Sequence, residues 1–408
     1  MAEIGERPRT FGQRVRQARE RRGLPRPVVA GLVGRSAEWV KAVENDKVAM
    51  PRLPLLLRLA ETLGVDDLAS LTGDERLSVA TYTMGAHSSL ARVRAALTDY
   101  DLDVAARDEE PSSSAALADR VTSAWQAWHG AGEHRSRVAD LLPALLTDLQ
   151  HAARTHEGTE RRRALVLMAQ VYHLAQLYLS FQPAPDLLML TSDRAMKAAQ
   201  DADSPRAVAA AVWYLNHLFR DAGERADARV DIAMQAVRLL DQDRGPDDIA
   251  LSGLLHLAAA LSYAKVGRKG DAERHWDTSA AAAARLGTAY THPWLIFGHG
   301  MVNAYAITMN TDLVRAGAAV DAAMHIDLAA MPSATRRSFH TIETARAHSL
   351  QGETIAVVHL LKRAYEISPE TATFNIFARG TAADLAETGS TIIRDEARGL
   401  ARQLGVAA

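Results

Sequence analysis

The stretch FGQRVRQARERRGLPRPVVAGLVGRSAEWVKAVEN (residues 11–45) decides the fold of the N-terminal part of this chain. Its apolar residues begin at helical spacing, and Gly23 ends the first predicted helix. Pro25 and Pro27 suit the first turn of a second helix, because amides in that turn need no intrahelical acceptor. We expect this second helix to run to about Val33.

A third helix is predicted after the turn at Gly34. Ser36 is a natural N-cap, because its hydroxyl accepts a hydrogen bond from an amide of the first turn, and the helix is expected over Ala37–Glu44. Two further apolar segments follow, PRLPLLLRLAETLG (51–64) and VDDLASLTG (65–73). Residues 11–73 therefore predict five short helices.

Three spaced elements carry a resemblance: F-G-x-R-V-R-x-A-R-x-x-R-G-L, then V-V-A-x-L-V-G-R-S-x-x-W-V-x-x-V-E-N, then L-L-x-L-A-x-x-L-G-V-x-D-L. In this order they resemble the Cro/CI-type (xenobiotic-response-element, XRE) helix-turn-helix family over about residues 10–73. The resemblance implies a lambda-repressor-like DNA-binding domain, bounded here at 1–75. It also implies that the recognition helix runs from Ser36 to Glu44, with its first residues facing base edges in the major groove.

The resemblance implies DNA contacts at eight positions. These are Arg26, Arg35, Ser36, Ala37, Glu38, Lys41, Lys47 and Arg52. Arg26 stands where the family usually has a glutamine, and its charge would reach phosphate. Lys41 is expected at a phosphate or a guanine edge, and Lys47 and Arg52 at phosphates. Glu38 either accepts from a cytosine amino group or only complements the positive end of the helix dipole.

Three other residues of this region have predicted roles. Trp39 packs either on the domain's own core or on a sugar or thymine methyl. Glu44 matches the family's helix-end glutamate, which usually pairs with an arginine of the first helix, so Arg16 and Arg19 are the candidates. Asp46 follows that helix where the family usually has glycine, and its negative charge weakens the basic patch.

Positive charge is concentrated in this segment. Between Gln13 and Arg58, eleven Lys and Arg stand against four acids, whereas the whole chain of 408 residues has a net charge of −2. A basic patch on a mildly acidic body suits an anionic partner that meets only the N-terminal part, and we expect double-stranded DNA. The alternative is a solvated, arginine-rich surface.

Composition excludes several classes of protein. The chain has no cysteine, which rules out disulfides, a thiol nucleophile and thiolate zinc sites. Its 48% hydrophobic and 24% charged residues are typical of a globular protein. No uncharged apolar run is long enough to span a membrane, and the N-terminus lacks the apolar core of a secretory signal. We therefore expect a cytoplasmic protein without a membrane partner.

The rest of the chain has helical periodicity, no β-alternation and an internal repeat. Four segments each predict a helix, a turn and a second helix, and their turn positions lie 44, 43 and 42 residues apart. The turns are at Gly223, Gly267, Asn310 and Gly352. Gln182 is the turn of a weaker, earlier copy. The pattern resembles the tetratricopeptide family and implies stacked helical hairpins. We expect linker helices over 76–134 and a tetratricopeptide-like solenoid over 135–408.

The tetratricopeptide register implies a concave groove lined by the first helix of each pair. Its candidate ligand-binding residues are Tyr172, Gln176, Trp213, His217, Arg220, Asn216, Asn303 and Arg346. A groove that mixes aromatic rings, amides, histidine and arginine suits a peptide or an anionic small molecule. The alternative is that these residues make ordinary contacts between helices, and Asn216 and Asn303 are best interpreted as buried structural amides.

The stretch YTHPWLIFGHGMVNAY (290–305) is the least repeat-like part of the chain. Its two histidines and its Gly-x-Gly suggest a site. His292 and His299 are too far apart along a helix to hold one metal ion without other ligands, and no third glycine or preceding strand makes a dinucleotide loop.

The sequence contains no recognisable catalytic motif, so we expect neither an enzyme nor a cofactor. The expected fold is all-α: an N-terminal lambda-repressor-like helix-turn-helix domain followed by a tetratricopeptide-like α-solenoid. The whole chain resembles peptide-pheromone receptors, which implies a homodimeric transcription regulator of the quorum-sensing kind, controlled by a peptide, a small molecule or a protein partner. The alternative is an interaction scaffold whose helix-turn-helix has lost DNA binding.

Overall fold

The computed structural model describes residues 9–48, 51, 53–65, 68–73, 85–99, 110–130, 132–220, 226–241 and 245–406. These residues are predominantly helical, and no β-strand occurs among them. The predicted all-α fold is therefore confirmed. The described residues divide into two compact units, one up to residue 73 and one from residue 85 onward.

The described part of the N-terminal unit consists of short helices around one apolar core. Its helices are α1 Phe11–Arg21, α2 Arg26–Val33, α3 Ala37–Glu44, α4 Leu53–Leu63 and α5 Leu68–Thr72. The core contains Val15, Ala18, Val29, Ala30, Val33, Val40, Val43, Leu56, Leu59, Leu63, Leu68 and Leu71. Gly34 ends α2 with a φ of 72°, a left-handed conformation that favours glycine. The predicted five helices are confirmed.

The second unit contains the remaining helices. They are α6 Leu90–Thr98, α7 Ser114–Gly130, α8 His134–Thr155, α9 Gly158–Leu179, α10 Pro185–Asp201, α11 Pro205–Arg220, α12 Ala226–Val237, α13 Pro246–Lys265, α14 Lys269–Leu286, α15 His299–Asp312, α16 Ala316–Met324, α17 Ala334–Leu350, α18 Thr354–Ile367, α19 Pro369–Phe374, α20 Ile376–Thr388 and α21 Thr391–Gln403, with a short 3₁₀ helix at Leu328–Ala330.

Neighbouring helices of the second unit form hairpins that stack on one another. Helix α9 packs on α10, α13 on α14, and α17 on α18. Between hairpins, α11 contacts α13, α13 contacts α15, and α15 contacts α17. Each hairpin buries its apolar face against the next, which is consistent with the predicted solenoid.

Early and late helices of the second unit also contact each other. Helix α7 packs against α17, and the Glu370 carboxylate in α19 accepts a hydrogen bond from the Arg135 amide in α8 at 2.5 Å. Nothing in the repeat pattern predicted these contacts.

The predicted turns of the repeats have mixed outcomes. Gly267 and Gly352 lie in turns, with φ of 77° and 75°, and Gln182 lies in the turn after α9. The turn at Asn310 is wrong, because α15 continues to Asp312 and the left-handed residue is Val314, with a φ of 58°. The Asn310 side chain donates to the Ala306 carbonyl one turn earlier, at 2.9 Å, which lets an asparagine stay inside a helix. Gly223 lies outside the described residues.

The region predicted as linker, 76–134, differs from the structure in part. Helices α6 and α7 pack in the core of the second unit, where Val93, Leu117 and Trp125 are buried. No separate linker body is formed by these two helices, because their apolar faces are covered by the neighbouring helices.

Candidate nucleic-acid interface

Helix α3 is held in the N-terminal unit by one face and exposes the other. The Ser36 hydroxyl accepts from the Trp39 amide at 3.1 Å, which confirms the predicted N-cap. Val40 and Val43 are buried. Glu38 and Lys41 are exposed, with side chains 85% and 57% accessible. The helix therefore presents a polar surface from a rigid apolar support.

Glu44 joins the first three helices. Its carboxylate is fully buried and accepts from Arg19 Nε at 2.5 Å and from Arg26 Nε at 2.8 Å. The predicted pairing with Arg19 is confirmed, whereas Arg16 pairs with Glu20. A buried carboxylate is stable only when cations and hydrogen bonds compensate its lost hydration, so this network fixes α3 against α1 and α2.

The predicted phosphate contact of Arg26 meets a competing partner in this network. The Arg26 guanidinium faces Glu44, and 37% of the side chain is exposed. Much of its charge is therefore balanced within the protein. Phosphate binding by Arg26 stays a prediction, and the structure gives this residue a role in positioning α3.

Asp46 caps α1, a role that the sequence pattern did not predict. Its carboxylate accepts from the Thr10 hydroxyl at 2.5 Å and from the Gly12 amide at 2.9 Å. It has a φ of 54°, which agrees with glycine at this position in the family. Because the charge lies at the positive end of the α1 dipole, it is largely engaged there. The signal available in the sequence was an Asp where the family usually has glycine, because Asp and Asn tolerate the left-handed conformation better than most residues.

The outward side of α3 carries cations with little compensation. Arg35 lies with its guanidinium carbon 5.8 Å from the Trp39 ring centroid, and Trp39 is half-buried against the core of the unit. Lys41 lies 3.9 Å from Glu38, an exposed pair that water and salt screen. Within the described residues, Arg35 and the exposed Lys47 have no carboxylate partner.

These side chains define the candidate interface: Arg35, Glu38, Lys41 and Lys47. Arg35 precedes α3 and Lys47 follows it; cations at both ends of one helix suit the phosphates that flank a groove, and Glu38 at the helix start suits a base donor. Ala37 is half-buried beside them. Arg52 lies outside the described residues.

The predicted groove residues of the second unit do not share an open surface. Tyr172, Gln176, Trp213 and Asn216 are buried between helices. The Gln176 amide donates to the Ser192 hydroxyl. The Asn216 amide donates to the Val212 carbonyl at 3.1 Å. This burial agrees with the alternative of inter-helix contacts, and ligand binding at these four residues stays a prediction.

The other groove residues are scattered. Arg346 pairs with Asp312 and with Glu343. The Asn303 amide lies 3.2 Å from His299 Nδ1. The half-buried His217 contacts the Trp213 ring edge-on at a centroid distance of 4.3 Å. The Arg220 side chain lies outside the described residues.

Residues 10–71 match the family of helix-turn-helix domains. The match spans α1 to α5 and contains the candidate interface. The N-terminal unit is a helix-turn-helix domain, which indicates a DNA-binding regulator. A comparison with curated proteins found none that matches this chain.

None of the described helices is long and apolar enough to cross a membrane. No group of three or more histidine or acidic residues in the described ranges is arranged to hold a metal ion.

Proposed function

We propose that this protein is a transcription regulator of the XRE type, in which the helix-turn-helix domain binds operator DNA and the helical second unit controls it. The observation that carries the proposal is the geometry of α3. This helix is anchored by Val40, Val43 and Glu44 and presents Glu38 and Lys41 to solvent, within a segment that matches helix-turn-helix domains.

The domain would bind DNA through two kinds of contact, one to phosphates and one to bases. Arg35, Lys41 and Lys47 would contact phosphates and so fix the register of α3, while Glu38 and Ala37 face base edges. The network of Arg19, Arg26 and Glu44 would hold the helix at its angle. A single domain makes few contacts, so we propose a homodimer that binds two half-sites.

The second unit would supply the regulation. Its stacked hairpins support the proposal of a tetratricopeptide-like sensor for a peptide, a small molecule or a protein partner, as in quorum-sensing regulators. Such an effector would have to bind two shapes of the unit with different affinity, because only differential affinity shifts a conformational equilibrium.

The test begins with genomic DNA fragments selected by the purified chain. Their affinity is then measured by fluorescence anisotropy over a range of salt. The triple variant Arg35→Ala, Lys41→Ala, Lys47→Ala should bind about tenfold or more weakly and show a smaller salt dependence. Arg26 is left unchanged, since its loss would also unpair Glu44.

The matched control is Arg363→Ala, which removes an exposed arginine of α18 in the second unit. Its affinity for the selected DNA should equal that of the wild type. Failure to select any fragment, or equal affinity of the triple variant and the wild type, would contradict the proposal and favour the interaction scaffold.

A further inference from the structure

Arg336 is a half-buried cation of the second unit with no acidic partner. It lies in the first turn of α17, and its guanidinium donates to the Tyr305 hydroxyl at 2.7 Å. Within the described ranges no carboxylate lies at ion-pair distance from it. Arg206 and Arg346, by contrast, are each paired with two carboxylates. Because an interior cation without a counter-charge costs free energy, this position suits an anion from outside the chain.

His340 adds unused hydrogen-bonding capacity beside Arg336. It lies one helical turn further on the same face of α17, it is completely buried, and neither ring nitrogen has a hydrogen-bond partner. Its ring meets Tyr305 edge-on at a centroid distance of 4.8 Å. Burial, reinforced by the Arg336 charge, lowers the pKa of His340 to about 3, so the ring is neutral and has one N–H to donate.

The indole N–H of Trp213 is also buried without a hydrogen-bond partner. The side chain is completely buried, its Nε1 has no partner, and its ring lies 6.2 Å from that of Tyr305. Buried polar groups without partners are rare in proteins. Two such groups, Trp213 and His340, therefore lie beside the ring of Tyr305, whose hydroxyl accepts from Arg336.

A second group of aromatic side chains in this unit is stacked ring against ring. The His173 ring is nearly parallel to that of Tyr214 at 4.5 Å and to that of Trp294 at 6.0 Å, and Trp294 lies 4.9 Å from Trp125. Burial raises the pKa of Tyr214, and the positive charge of Arg336 opposes that shift. His173 Nε2 is also buried without a partner.

A hydrogen-bonded link joins the stacked rings to α17. His129 Nε2 lies 2.9 Å from the Trp294 carbonyl, and His129 Nδ1 lies 2.9 Å from the Ser333 hydroxyl. The same hydroxyl accepts from the Arg336 amide at 3.3 Å. Trp294 and Arg336 are both half-buried, so each retains a surface that a ligand can contact.

We infer that Arg336, His340 and Tyr305, together with the stacked rings of Trp294, His173 and Tyr214, form a binding site for a small aromatic carboxylate. The guanidinium pairs with the carboxylate, which it matches in shape and charge. The neutral imidazole donates to the same anion, and the ligand ring stacks on Trp294, the half-buried member of the stacked rings. The inference deepens the proposed regulation by a small molecule and rests on it only for its biological role.

The test is calorimetric titration of the full chain with benzoate, phenylacetate and naphthoate, each compared with its uncharged amide. At least one carboxylate should bind, and its amide should bind about tenfold or more weakly. Arg336→Met should weaken carboxylate binding by a similar factor, and Arg336→Lys should weaken it by less. Arg363→Met should leave the carboxylate affinity unchanged. Absence of binding by all three carboxylates, or equal binding of acid and amide, would overturn the site.

A second variant and a melting experiment exclude a merely structural role. Trp294→Ala should lower the affinity for naphthoate more than the affinity for benzoate, because the larger ring makes a larger stacking contact. In the absence of ligand, Arg336→Met should melt at the same temperature as the wild type or higher, since it removes an uncompensated cation. A clearly lower melting temperature would show that Arg336 serves the fold and would also overturn the site.

Affinity for selected DNA, measured with and without the bound carboxylate, separates this inference from the proposed function. A DNA affinity that changes when the carboxylate is bound supports both the binding site and the proposed regulatory function. Carboxylate binding that depends on Arg336 supports the site even if the chain binds no DNA, in which case only the proposed function fails.

Discussion

Glu44 shows how one residue organises the DNA-binding unit. Its fully buried carboxylate accepts from Arg19 and Arg26 on two other helices, so α3 cannot shift without breaking charged hydrogen bonds. Such bonds are stronger than neutral ones, and their loss takes from Arg19 and Arg26 the buried carboxylate that they share.

We expect Glu44→Gln to lower the local stability of the N-terminal unit by about 1–3 kcal/mol, because the amide keeps some hydrogen bonds but loses both ion pairs. Hydrogen–deuterium exchange of peptides from α1 to α3 measures this directly. Glu20→Gln is the control, because Glu20 is half exposed and pairs with Arg16 at the surface. Equal exchange in the two variants would contradict the role given to Glu44.

At the scale of the elements, α1 and the turn after α3 are fitted to each other at Gly12. A Cβ on Gly12 would lie 2.3 Å from the Val43 carbonyl oxygen and 2.7 Å from Asp46 Oδ1. The same Asp46 carboxylate accepts from Thr10 and from the Gly12 amide. The close approach of backbone to backbone therefore requires glycine at this position.

Gly12→Ala should destabilise the N-terminal unit by about 1–3 kcal/mol, the usual cost of overpacking, because the obstructing atom is backbone and cannot rotate away. Gly31→Ala in α2 is the matched control. Its Cβ would meet no atom within 4 Å, and alanine is the better helix former, so stability should be unchanged or slightly higher. Thermal melting of both variants, followed by exchange in α1, decides between these outcomes.

At the scale of the whole second unit, Glu370 joins segments far apart in sequence. It accepts from the Ser136 hydroxyl at 2.6 Å and lies 3.4 Å from His87 Nε2. Burial acts to raise the pKa of Glu370, but the hydrogen bonds from His87, Ser136 and the Arg135 amide outweigh it and lower the pKa to about 2. The folded unit thus stabilises the ionised carboxylate.

The pH dependence follows from this depressed pKa. The stabilisation is fully present above the unfolded-state pKa of about 4.3 and is lost as pH falls towards about 2. Glu370→Gln should lower the free energy of unfolding by roughly 3 kcal/mol at pH 7 and equally at pH 5, and the deficit should shrink below about pH 4. Urea denaturation at these pH values measures it. The control is Glu366→Gln, which changes an exposed carboxylate of α18; a constant deficit at all pH values would contradict the assignment.

Several parts of the site were predictable because they depend on short spacings. The cap at Ser36, the end of α2 at Gly34 and the buried face of α3 all follow from residues within one or two turns. The pairing of Glu44 with an arginine of the first helix, either Arg16 or Arg19, was predicted through the family resemblance, and the structure selects Arg19. The partnership of Arg26 with Glu44 was not, since spacing along the chain does not show which cation turns inward.

The repeat region was predicted less completely. Gly267 and Gly352 lie in turns because a left-handed residue favours glycine, but Val314 holds the same conformation without that signal. The aromatic rings around Arg336 come from five helices and the Trp294 segment, so no single repeat contains the pattern.

The sequence by itself determined the class of the fold, the helices of the N-terminal unit and the helix that we propose as the DNA-contacting one. These depend on helical periodicity, caps and glycine turns, which act within a few residues. Only the tertiary structure decided which cations are paired with carboxylates, such as Arg206 and Arg346, and which, such as Arg336, are not. Those outcomes depend on residues brought together from 25 positions apart, as for Arg19 and Glu44, to 283 positions apart, as for His87 and Glu370, and burial gives such contacts their strength.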